Sequence, residues 1–232
     1  MKYAAVVFDI DNTLYDYDAA HKVAFRALTA YASEAFGLAP ERFEELHGRT
    51  YAQQKRLCGE NCAAIHNRLI RFQMMLEAIG QPIAFAPTMS SIYWSGLIGA
   101  MTPSPGLIGL MPRLKAMGLK VGVGTNMTAD IQFAKLERLG VLRDVDFMVS
   151  SEEINAEKPD RRLFDRCVEK AGCRADACVY VGDSLQKDVF GAENAGLRAV
   201  WFRPVADGAA LPKDVACITS LGHLPDLLAS IS

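Results

Sequence analysis

Two carboxylates stand close together near the start of the chain, directly after a short apolar run. The run covers residues 4–8, and Asp9 and Asp11 follow it. Its length and β-branched residues are typical of a strand buried on both faces of a sheet. Ligands of open α/β sheets bind beyond the carboxyl ends of the strands, so we expect both acids at such an edge. Neighbouring carboxylates repel each other, and a divalent cation or protonation of one acid would relieve the repulsion. Two solvated loop acids are the plainer interpretation of this pattern taken alone.

Five more polar residues follow later strand-like runs or begin the helix after them. They are Thr125, Asn126, Lys158, Asp183 and Asp188. Each of them alone has an ordinary interpretation as a turn, loop or helix-capping residue. Because the carboxyl ends of parallel strands meet at one edge of a sheet, we expect all five near the acid pair. Their order and shared placement together predict a functional site.

The second half of the chain alternates between strand-like and helix-like segments. Strands are predicted at residues 120–124, 147–150, 177–181, 198–202 and 215–219. Helices are predicted at residues 107–117, 128–139, 161–171, 186–195 and 221–231. This alternation implies right-handed crossovers and a mainly parallel sheet. We therefore predict an α/β fold with a Rossmann-like, three-layer core.

The stretch between the first strand and this alternation shows only helical patterns. Apolar residues recur at helical spacing from Ala20 to Tyr31, and further helices are predicted at residues 42–47, 52–57, 61–79 and 88–98. Two prolines and a glycine between residues 101 and 106 mark a return linker. The predicted organisation is a core of residues 1–16 and 102–232 with an all-helical cap of residues 17–101.

Composition excludes several classes of protein. The chain has 232 residues, of which 22% are charged, and a formal net charge of −2. A nucleic-acid binder would show a basic face, and no apolar stretch reaches membrane-spanning length, so neither nucleic acid nor membrane is an expected partner. The spacing of the six cysteines matches no zinc or redox motif. We expect a cytoplasmic monomer or small homo-oligomer.

Four strings of residues carry a resemblance to a known family. They are FDIDNTLYD, GTN, EKPD and GDSLQKD, in that order. They resemble the four motifs of the haloacid dehalogenase superfamily of phosphotransferases, and the match extends from residue 3 to about residue 202. The helical insertion resembles the cap that this superfamily places after its first motif.

The resemblance implies a role for each matching residue. Asp9 resembles the nucleophile that forms an aspartyl-phosphate, and Asp11 resembles the general acid/base, which needs a raised pKa to donate a proton. Lys158 supplies positive charge to Asp9 and to the phosphoryl oxygens. Thr125 offers a hydroxyl group and Asn126 a backbone N–H group to the phosphate.

The resemblance also implies a magnesium ion. Its ligands would be the side chains of Asp9 and Asp183 and the backbone carbonyl of Asp11, with Asp188 orienting the site or serving as an alternative ligand. The implied activity is a magnesium-dependent phosphatase for a small phosphorylated metabolite. The wording of the first motif is most similar to nucleoside monophosphate and N-acylneuraminate 9-phosphate phosphatases, so nucleoside monophosphates and sugar phosphates are the expected substrate classes.

Four alternatives stay open at this point. A phosphomutase acting on a sugar phosphate would use the same nucleophile. A 2-haloacid dehalogenase of the same family would lack an acid two residues after the nucleophile, whereas this chain has Asp11. A receiver-type signalling domain groups similar residues but is about half as long and has no helical insertion. A non-catalytic binding protein would share the fold alone.

The cap offers few candidates for substrate contact. Residues 47–50 are predicted to lie between two cap helices, at the position of a substrate-contacting loop in similar capped proteins. Arg49 is the first candidate and Lys55 the next, although a solvated helix end explains each as well. Tyr93 and Trp94 are better explained as cap core than as a platform for a base.

Overall fold

The computed structural model describes residues 2–204 and 215–230. The chain divides into two compact units: one comprises the residues up to Asp16 together with those from Thr102 onward, and the other is Tyr17–Met101. We call them the core unit and the cap unit. None of the helices in the described ranges combines the length and the apolar character needed to cross a bilayer.

The core unit is built on a six-stranded parallel sheet, as the alternating pattern predicts. The strands are β1 (Ala5–Phe8), β2 (Lys120–Thr125), β3 (Phe147–Ser150), β4 (Cys178–Gly182), β5 (Arg198–Phe202) and β6 (Ala216–Ile218). Their order in the sheet is β3-β2-β1-β4-β5-β6, and each neighbouring pair is parallel. The prediction of a Rossmann-like α/β fold is confirmed.

Strand β1 is short and fully buried because it lies in the middle of this sheet. All four of its residues are completely inaccessible to solvent. Val7 pairs with Gly122 of β2 on one side and with Tyr180 of β4 on the other. An apolar run with no polar alternation is what such a strand requires. Its carboxyl end therefore opens between the ends of β2 and β4.

The helices of the core unit alternate with the strands along the chain. They are α5 (Leu110–Ala116), α6 (Ala129–Arg138), α7 (Ser151–Ile154), α8 (Arg161–Ala171), α9 (Phe190–Asn194) and α10 (Leu224–Ser230). Here we number helices in chain order, with α1–α4 belonging to the cap unit. Helix α7 was not predicted. The segment before α9, Leu185–Val189, forms a π-helical turn instead of the regular helix expected there. The predicted end of the last helix at Ile231 lies outside the described residues.

The cap unit consists of four α-helices. They are α1 (Tyr17–Phe36), α2 (Pro40–Cys58), α3 (Arg68–Ala78) and α4 (Ala86–Gly99). Helices α1 and α4 pack closely because small residues meet: a Cβ on Gly96 would lie 3.2 Å from Cα of Ala24. Ala24, one of the small residues in the predicted helical stripe of α1, thus allows α4 to pack closely against α1.

The prediction of a loop at residues 47–50 is wrong. Helix α2 runs through this segment without a break. Its buried positions, Phe43, Leu46, Thr50 and Gln54, keep helical spacing across Gly48. A glycine in a helix interior costs about 1 kcal/mol relative to alanine, and burial of this face exceeds that cost.

The helix predicted over residues 61–79 is interrupted at its start. A short 3-10 turn, Ala63–His66, comes first, and α3 begins at Arg68. The side-chain oxygen of Asn67 accepts a hydrogen bond from the N–H group of Ile70 and so caps α3. Asparagine is among the preferred N-cap residues, and this cap fixes where the helix begins.

Candidate active site

Asp9 lies at the carboxyl end of β1, where a buried lysine holds it. The Lys158 Nζ atom is 2.6 Å from Oδ1 of Asp9 and 2.7 Å from Oδ1 of Asp188. The side chains of all three residues are less than a tenth exposed. The Asp9 N–H group donates to the carbonyl of Val181, which fixes its backbone to the neighbouring strand β4. A rigid, desolvated carboxylate beside an ammonium group is the result.

The π-helical turn places Asp188 in this group. Its Oδ2 atom accepts a hydrogen bond of 2.9 Å from the N–H group of Ser184, while Oδ1 accepts from Lys158. A Cβ on Gly182 would lie only 2.4 Å from the carboxyl carbon of Asp188. Glycine at the end of β4 is therefore a steric requirement for the position of this carboxylate. Such π turns are frequent at functional sites.

The residues after β2 hold the neighbouring loop and the threonine. The Asn126 Oδ1 atom accepts a hydrogen bond of 2.8 Å from the backbone N–H group of Lys158. The Thr125 Oγ1 atom accepts one of 2.7 Å from Nε2 of Gln132. The side chain of Asn126 thus positions the loop that carries the lysine. The Thr125 hydroxyl in turn donates a hydrogen bond of 3.3 Å to the carbonyl of Asn126.

Asp11 belongs to a separate group of charges. Its two carboxylate oxygens lie 2.7 and 2.9 Å from Nζ of Lys135, and the Tyr15 hydroxyl donates to Oδ1 over 2.5 Å. Lys135 is completely buried, and it comes from α6. Sequence reasoning missed Lys135 and Gln132. The available signal was their spacing of three residues, which places both on the buried face of a helix together with Leu136.

Burial shapes the charge of the acids around Lys158. Burial raises the pKa of Asp9 to about 7, and the negative charges of Asp188 and Asp183 add to the rise while Lys158 opposes it. Burial and the charge of Asp188 likewise raise the pKa of Asp183 to about 6, against the opposing charge of Lys158. The three carboxylates of Asp9, Asp183 and Asp188 share the single positive charge of Lys158. Asp9 and Asp183 therefore bind protons more tightly than an aspartate in water does.

Lys158 and Asp11 keep their charges in this environment. Burial lowers the pKa of Lys158, but Asp188 and Asp9 outweigh it and raise the pKa well above its usual value. Burial raises the pKa of Asp11, but Lys135 and the hydrogen bond from Tyr15 outweigh it, and the pKa is lowered. The raised pKa expected for Asp11 as an acid is therefore not found.

Three carboxylates form a group able to hold a cation. One oxygen from each of Asp9, Asp183 and Asp188 lies within 4.8 Å of the other two. Asp183 is partly exposed, and its backbone carbonyl accepts a hydrogen bond of 2.7 Å from Nε1 of Trp201. An all-oxygen donor set of this kind suits Mg²⁺. The Asp11 carboxylate is outside this group of three, and its oxygens are paired with Lys135.

Arg49 and Lys55 lie on α2 of the cap unit. The Arg49 side chain is 63% exposed and lies 3.8 Å from a carboxylate oxygen of Glu45. Lys55 pairs with Glu60 at 2.8 Å. Neither residue occupies a loop, so the geometric reason for choosing Arg49 as a substrate contact is lost. Its role in substrate binding remains a prediction from the resemblance alone.

Comparison with known proteins agrees with this geometry. The sequence matches the family described as haloacid dehalogenase-like hydrolase over residues 3–196. It is 35% identical over 237 residues to the ribulose-1,5-bisphosphate 5-phosphatase of Halopiger xanaduensis, covering 97% of this chain and 99% of that protein. It is 25% identical over 236 residues to the pyrimidine 5'-nucleotidase YjjG of Escherichia coli, covering 98% of this chain and 99% of that protein. A solved structure of 2-haloacid dehalogenase from Pseudomonas syringae pv. Tomato superposes with a TM-score of 0.78 at 27% identity, covering 99% of this chain and 100% of that chain.

Proposed function

The chain belongs to the haloacid dehalogenase-like hydrolases, and we propose that it hydrolyses its phosphate monoester in a magnesium-dependent reaction through an aspartyl-phosphate on Asp9. The family and its phosphatase relatives make it a phosphoric monoester hydrolase of small phosphorylated compounds. One relative is a ribulose-1,5-bisphosphate 5-phosphatase and another a pyrimidine 5'-nucleotidase. These names support a sugar phosphate or a nucleoside monophosphate as the substrate.

The observation that carries the proposal is the contact of Asp9 with Lys158. The carboxylate lies at a rigid strand end, and the ammonium group 2.6 Å away restrains its orientation. In the first step an oxygen of Asp9 attacks phosphorus while the bond from phosphorus to the leaving oxygen breaks. Lys158 and the Thr125 hydroxyl stabilise the charge on the phosphoryl oxygens.

Asp11 moves the protons of both steps. It gives a proton to the leaving oxygen in the first step and takes one from the attacking water in the second. The second step breaks the bond between phosphorus and Asp9 and releases inorganic phosphate. Lys135 lowers the pKa of Asp11 and so favours its ionised form. The negative charge of a bound phosphoryl group raises that pKa, which is the change an acid role requires.

The acidic group around Asp9 fits a magnesium ion. The side chains of Asp9 and Asp183 would hold it, together with the backbone carbonyl of Asp11 as the resemblance implies. Both oxygens of Asp188 already accept hydrogen bonds, so we assign Asp188 to orienting Lys158 and the site. When bound, the ion offsets negative charge on the acids and on the phosphoryl group.

The variant Asp9→Asn tests the aspartyl-phosphate. The amide has nearly the same shape as the carboxylate but is no nucleophile, so we expect kcat for p-nitrophenyl phosphate to fall by about 10³ or more with the fold retained. Asp165→Asn, on the exposed face of α8, is a matched control that should keep wild-type activity. Mass spectrometry of acid-quenched wild-type enzyme should locate phosphate on Asp9. Substantial activity in the variant would exclude this route.

Chelation tests the metal separately. We expect excess EDTA to stop hydrolysis and added Mg²⁺ to restore it, because the paired acids repel the phosphate without a cation. Equal rates with and without the chelator would remove the metal from the mechanism and leave the nucleophile prediction standing.

Dehalogenation is a second candidate because a solved structure of that name is 27% identical. The pairing of Asp11 with Lys135 and Tyr15 argues against it, since the resemblance implies no acid at this position in dehalogenases. We expect no halide release from 2-chloropropionate. Halide release at a rate comparable to phosphate ester hydrolysis would favour the dehalogenase.

A further inference from the structure

One tryptophan of the sheet contacts the backbone of a candidate metal ligand. Trp201 lies on β5, and its register partner on β4 is Gly182, the residue before Asp183. The Nε1–H group of Trp201 donates a hydrogen bond of 2.7 Å to the backbone carbonyl of Asp183. Because an indole group has only two side-chain torsions, it is a rigid donor, and it restrains the carbonyl that it contacts.

A second hydrogen bond holds the other end of the same peptide unit. The N–H group of Ser184 donates to Oδ2 of Asp188 over 2.9 Å. The carbonyl of Asp183 and the N–H group of Ser184 belong to one planar trans unit, so they point in opposite directions. Trp201 and Asp188 therefore hold this unit from two sides. Both contacts require the same orientation of it.

The held peptide unit determines where the side chain of Asp183 begins. On its other side Asp183 follows β4, which pairs with β1 and with β5. Since the backbone is fixed both before and after the Cα atom of Asp183, the direction of its Cβ atom is fixed as well. Only the two side-chain torsions remain free. From this position, one carboxylate oxygen of Asp183 lies within 4.8 Å of an oxygen of Asp9 and of one of Asp188.

The indole ring of Trp201 is itself restrained. It packs against the apolar core of the sheet, and the guanidinium carbon of Arg203 lies 4.9 Å from its ring centre. The backbone N–H group of Arg203 donates to the carbonyl of Ile218 over 2.8 Å, which anchors this residue to β6. A cation over an aromatic face is attracted by the electrons of the ring. Packing and this attraction together fix the donor that Asp183 accepts from.

We propose that Trp201 is a positioning residue for Asp183: its indole N–H group holds the peptide unit 183–184 in the orientation from which the Asp183 carboxylate can bind Mg²⁺ together with Asp9. This role rests on the proposed magnesium site, and it adds a residue that lies outside the four motif strings. Hydrogen-bonding partners that orient metal ligands typically contribute about 10–100-fold to metal affinity.

Mn²⁺ binding tests this role without catalysis. Mn²⁺ prefers the same oxygen ligands as Mg²⁺, and the electron paramagnetic resonance signal of the free ion measures how much stays unbound. Trp201→Phe keeps an aromatic ring but lacks the donor, so we expect it to raise the dissociation constant of Mn²⁺ about tenfold or more. Trp94→Phe, on α4 of the cap unit, should leave this constant within about twofold of wild type. An unchanged constant in Trp201→Phe would overturn the proposal.

A double-mutant cycle measures whether Trp201 acts through Asp183. The variant Asp183→Ala lacks the ligand, so adding Trp201→Phe should change the weakened Mn²⁺ affinity by less than about twofold. A general structural effect of Trp201 would instead lower the affinity by the same factor with and without the Asp183 carboxylate. That result would refute the positioning role.

NMR of the wild-type protein gives a measurement that does not depend on the folding of Trp201→Phe. The chain has two tryptophans, so two indole N–H signals are expected, and the spectrum of Trp94→Phe assigns them. Titration with Mg²⁺ should shift the Trp201 signal along a saturation curve whose midpoint matches the displacement of bound Mn²⁺ by Mg²⁺. A Trp201 signal that stays in place while the protein binds Mn²⁺ would count decisively against the proposal.

Kinetics separates weakened metal binding from a damaged site. We expect Trp201→Phe to need about tenfold more Mg²⁺ for half-maximal hydrolysis of p-nitrophenyl phosphate. At saturating Mg²⁺ its kcat should lie within about threefold of wild type, because a higher concentration of the ion overcomes weaker binding. A loss of kcat that Mg²⁺ does not restore would overturn the role of Trp201.

The wild type distinguishes failure of this role from failure of the proposed function. A wild type that binds no Mn²⁺ and hydrolyses without Mg²⁺ removes the metal, and the role of Trp201 falls with it. A wild type that binds Mn²⁺, together with a Trp201→Phe variant that binds it equally well, overturns the role of Trp201 and leaves the magnesium-dependent phosphatase standing.

Discussion

At the scale of single residues, the two acids of the first motif have opposite environments. Asp9 shares one lysine with other carboxylates, and its pKa is raised to about 7. Asp11 has a buried lysine to itself, and its pKa is lowered. Acids that differ in this way are suited to different tasks, because one is restrained as a nucleophile and the other is positioned for proton transfer. Lys135 is the residue that creates the difference.

The variant Lys135→Met tests whether Lys135 positions Asp11 for proton transfer. Loss of general acid catalysis slows a reaction by about 10² or more when the leaving group needs a proton. We therefore expect a large fall in kcat for an alkyl phosphate such as a sugar phosphate. The fall for p-nitrophenyl phosphate should be less than about tenfold, because p-nitrophenolate leaves without full protonation.

Lys115→Met is the control for Lys135→Met. Lys115 is a lysine of the same unit whose ion pair with Asp146 is exposed, so its removal should affect neither substrate. Equal losses for both substrates in Lys135→Met would indicate a structural role for the lysine only. Arginine at position 135 keeps the positive charge and should restore part of the activity toward the alkyl phosphate.

Asp183 should make the metal-free protein less stable as the pH rises. Its pKa is raised from 3.8 to about 6, so the folded state binds a proton more tightly than the unfolded state. Protonation of Asp183 therefore contributes to the free energy of unfolding below pH 4, and this contribution is lost as the pH rises through 6. Between pH 5 and pH 7.5, we expect the free energy of unfolding of Asp183→Asn to rise by about 1–2 kcal/mol relative to that of the wild type. This figure allows for the partial exposure of Asp183.

Urea unfolding in EDTA at the two pH values measures this effect of Asp183. Mg²⁺ should stabilise the wild type at pH 7.5 and have little effect on Asp183→Asn, because the variant lacks a ligand. The Asp165→Asn variant, which removes an exposed acid, should follow the wild type. A stability difference that does not change with pH would contradict the raised pKa of Asp183.

At the scale of elements, one glycine and one irregular turn determine where Asp188 lies. Gly182, the last residue of β4, and the π turn Leu185–Val189 bring the Asp188 carboxylate against the strand end. We expect Gly182→Ala to lower kcat at least tenfold, because the new Cβ would lie within 2.5 Å of three Asp188 atoms. Overpacking of this kind also costs about 1–3 kcal/mol of stability.

Gly222→Ala is a suitable comparison for Gly182→Ala. A Cβ at Gly222 meets its nearest neighbour at 3.5 Å, which is an ordinary contact, so activity should be retained. Steady-state kinetics and thermal unfolding of both variants give the two readouts. A folded Gly182→Ala enzyme with wild-type kcat would mean that the position of Asp188 is unimportant for turnover.

The same elements indicate what sequence patterns can predict. The order of strands and helices follows from periodicity and from glycines at helix ends, and the parallel sheet follows from their alternation. Helix α2 continues through Gly48 because burial of one helix face overrides the local signal of the glycine. The π turn that replaces a regular helix before α9 likewise depends on tertiary burial. Local patterns do not contain that information.

Contacts between distant segments limited the prediction of the site in the same way. The motifs place Asp9, Lys158 and Asp183 at one sheet edge because each follows a strand. Lys135 follows no strand directly, and its contact with Asp11 joins residues 124 positions apart in sequence. A lysine on the buried face of a helix looks like an ordinary helix former until the fold supplies its partner.

At the scale of the whole molecule, the chain enters and leaves the cap unit through two neighbouring segments of the core unit. Tyr15 pairs with Pro103 as an isolated bridge, and the N–H group of Ser104 donates to the carbonyl of Leu14 over 2.9 Å. These contacts hold the two connections side by side. Tyr15 also donates to Asp11, so the first connection contacts the proton-transfer group directly.

The last prediction concerns the acceptor of the phosphoryl group, which distinguishes a phosphatase from a phosphomutase. Both would form the same intermediate on Asp9, and Asp11 would serve as base for water or for a sugar hydroxyl. A mutase has to exclude water until its second sugar binds. Asp183 at the edge of the acidic group is partly exposed, which favours water as the acceptor. We expect phosphorus NMR to detect free phosphate as the product from glucose 1-phosphate and from nucleoside monophosphates, whichever of them is turned over. We expect Asp11→Ala to slow both the formation and the hydrolysis of the intermediate. Isomerised sugar phosphate with little free phosphate would instead identify a mutase.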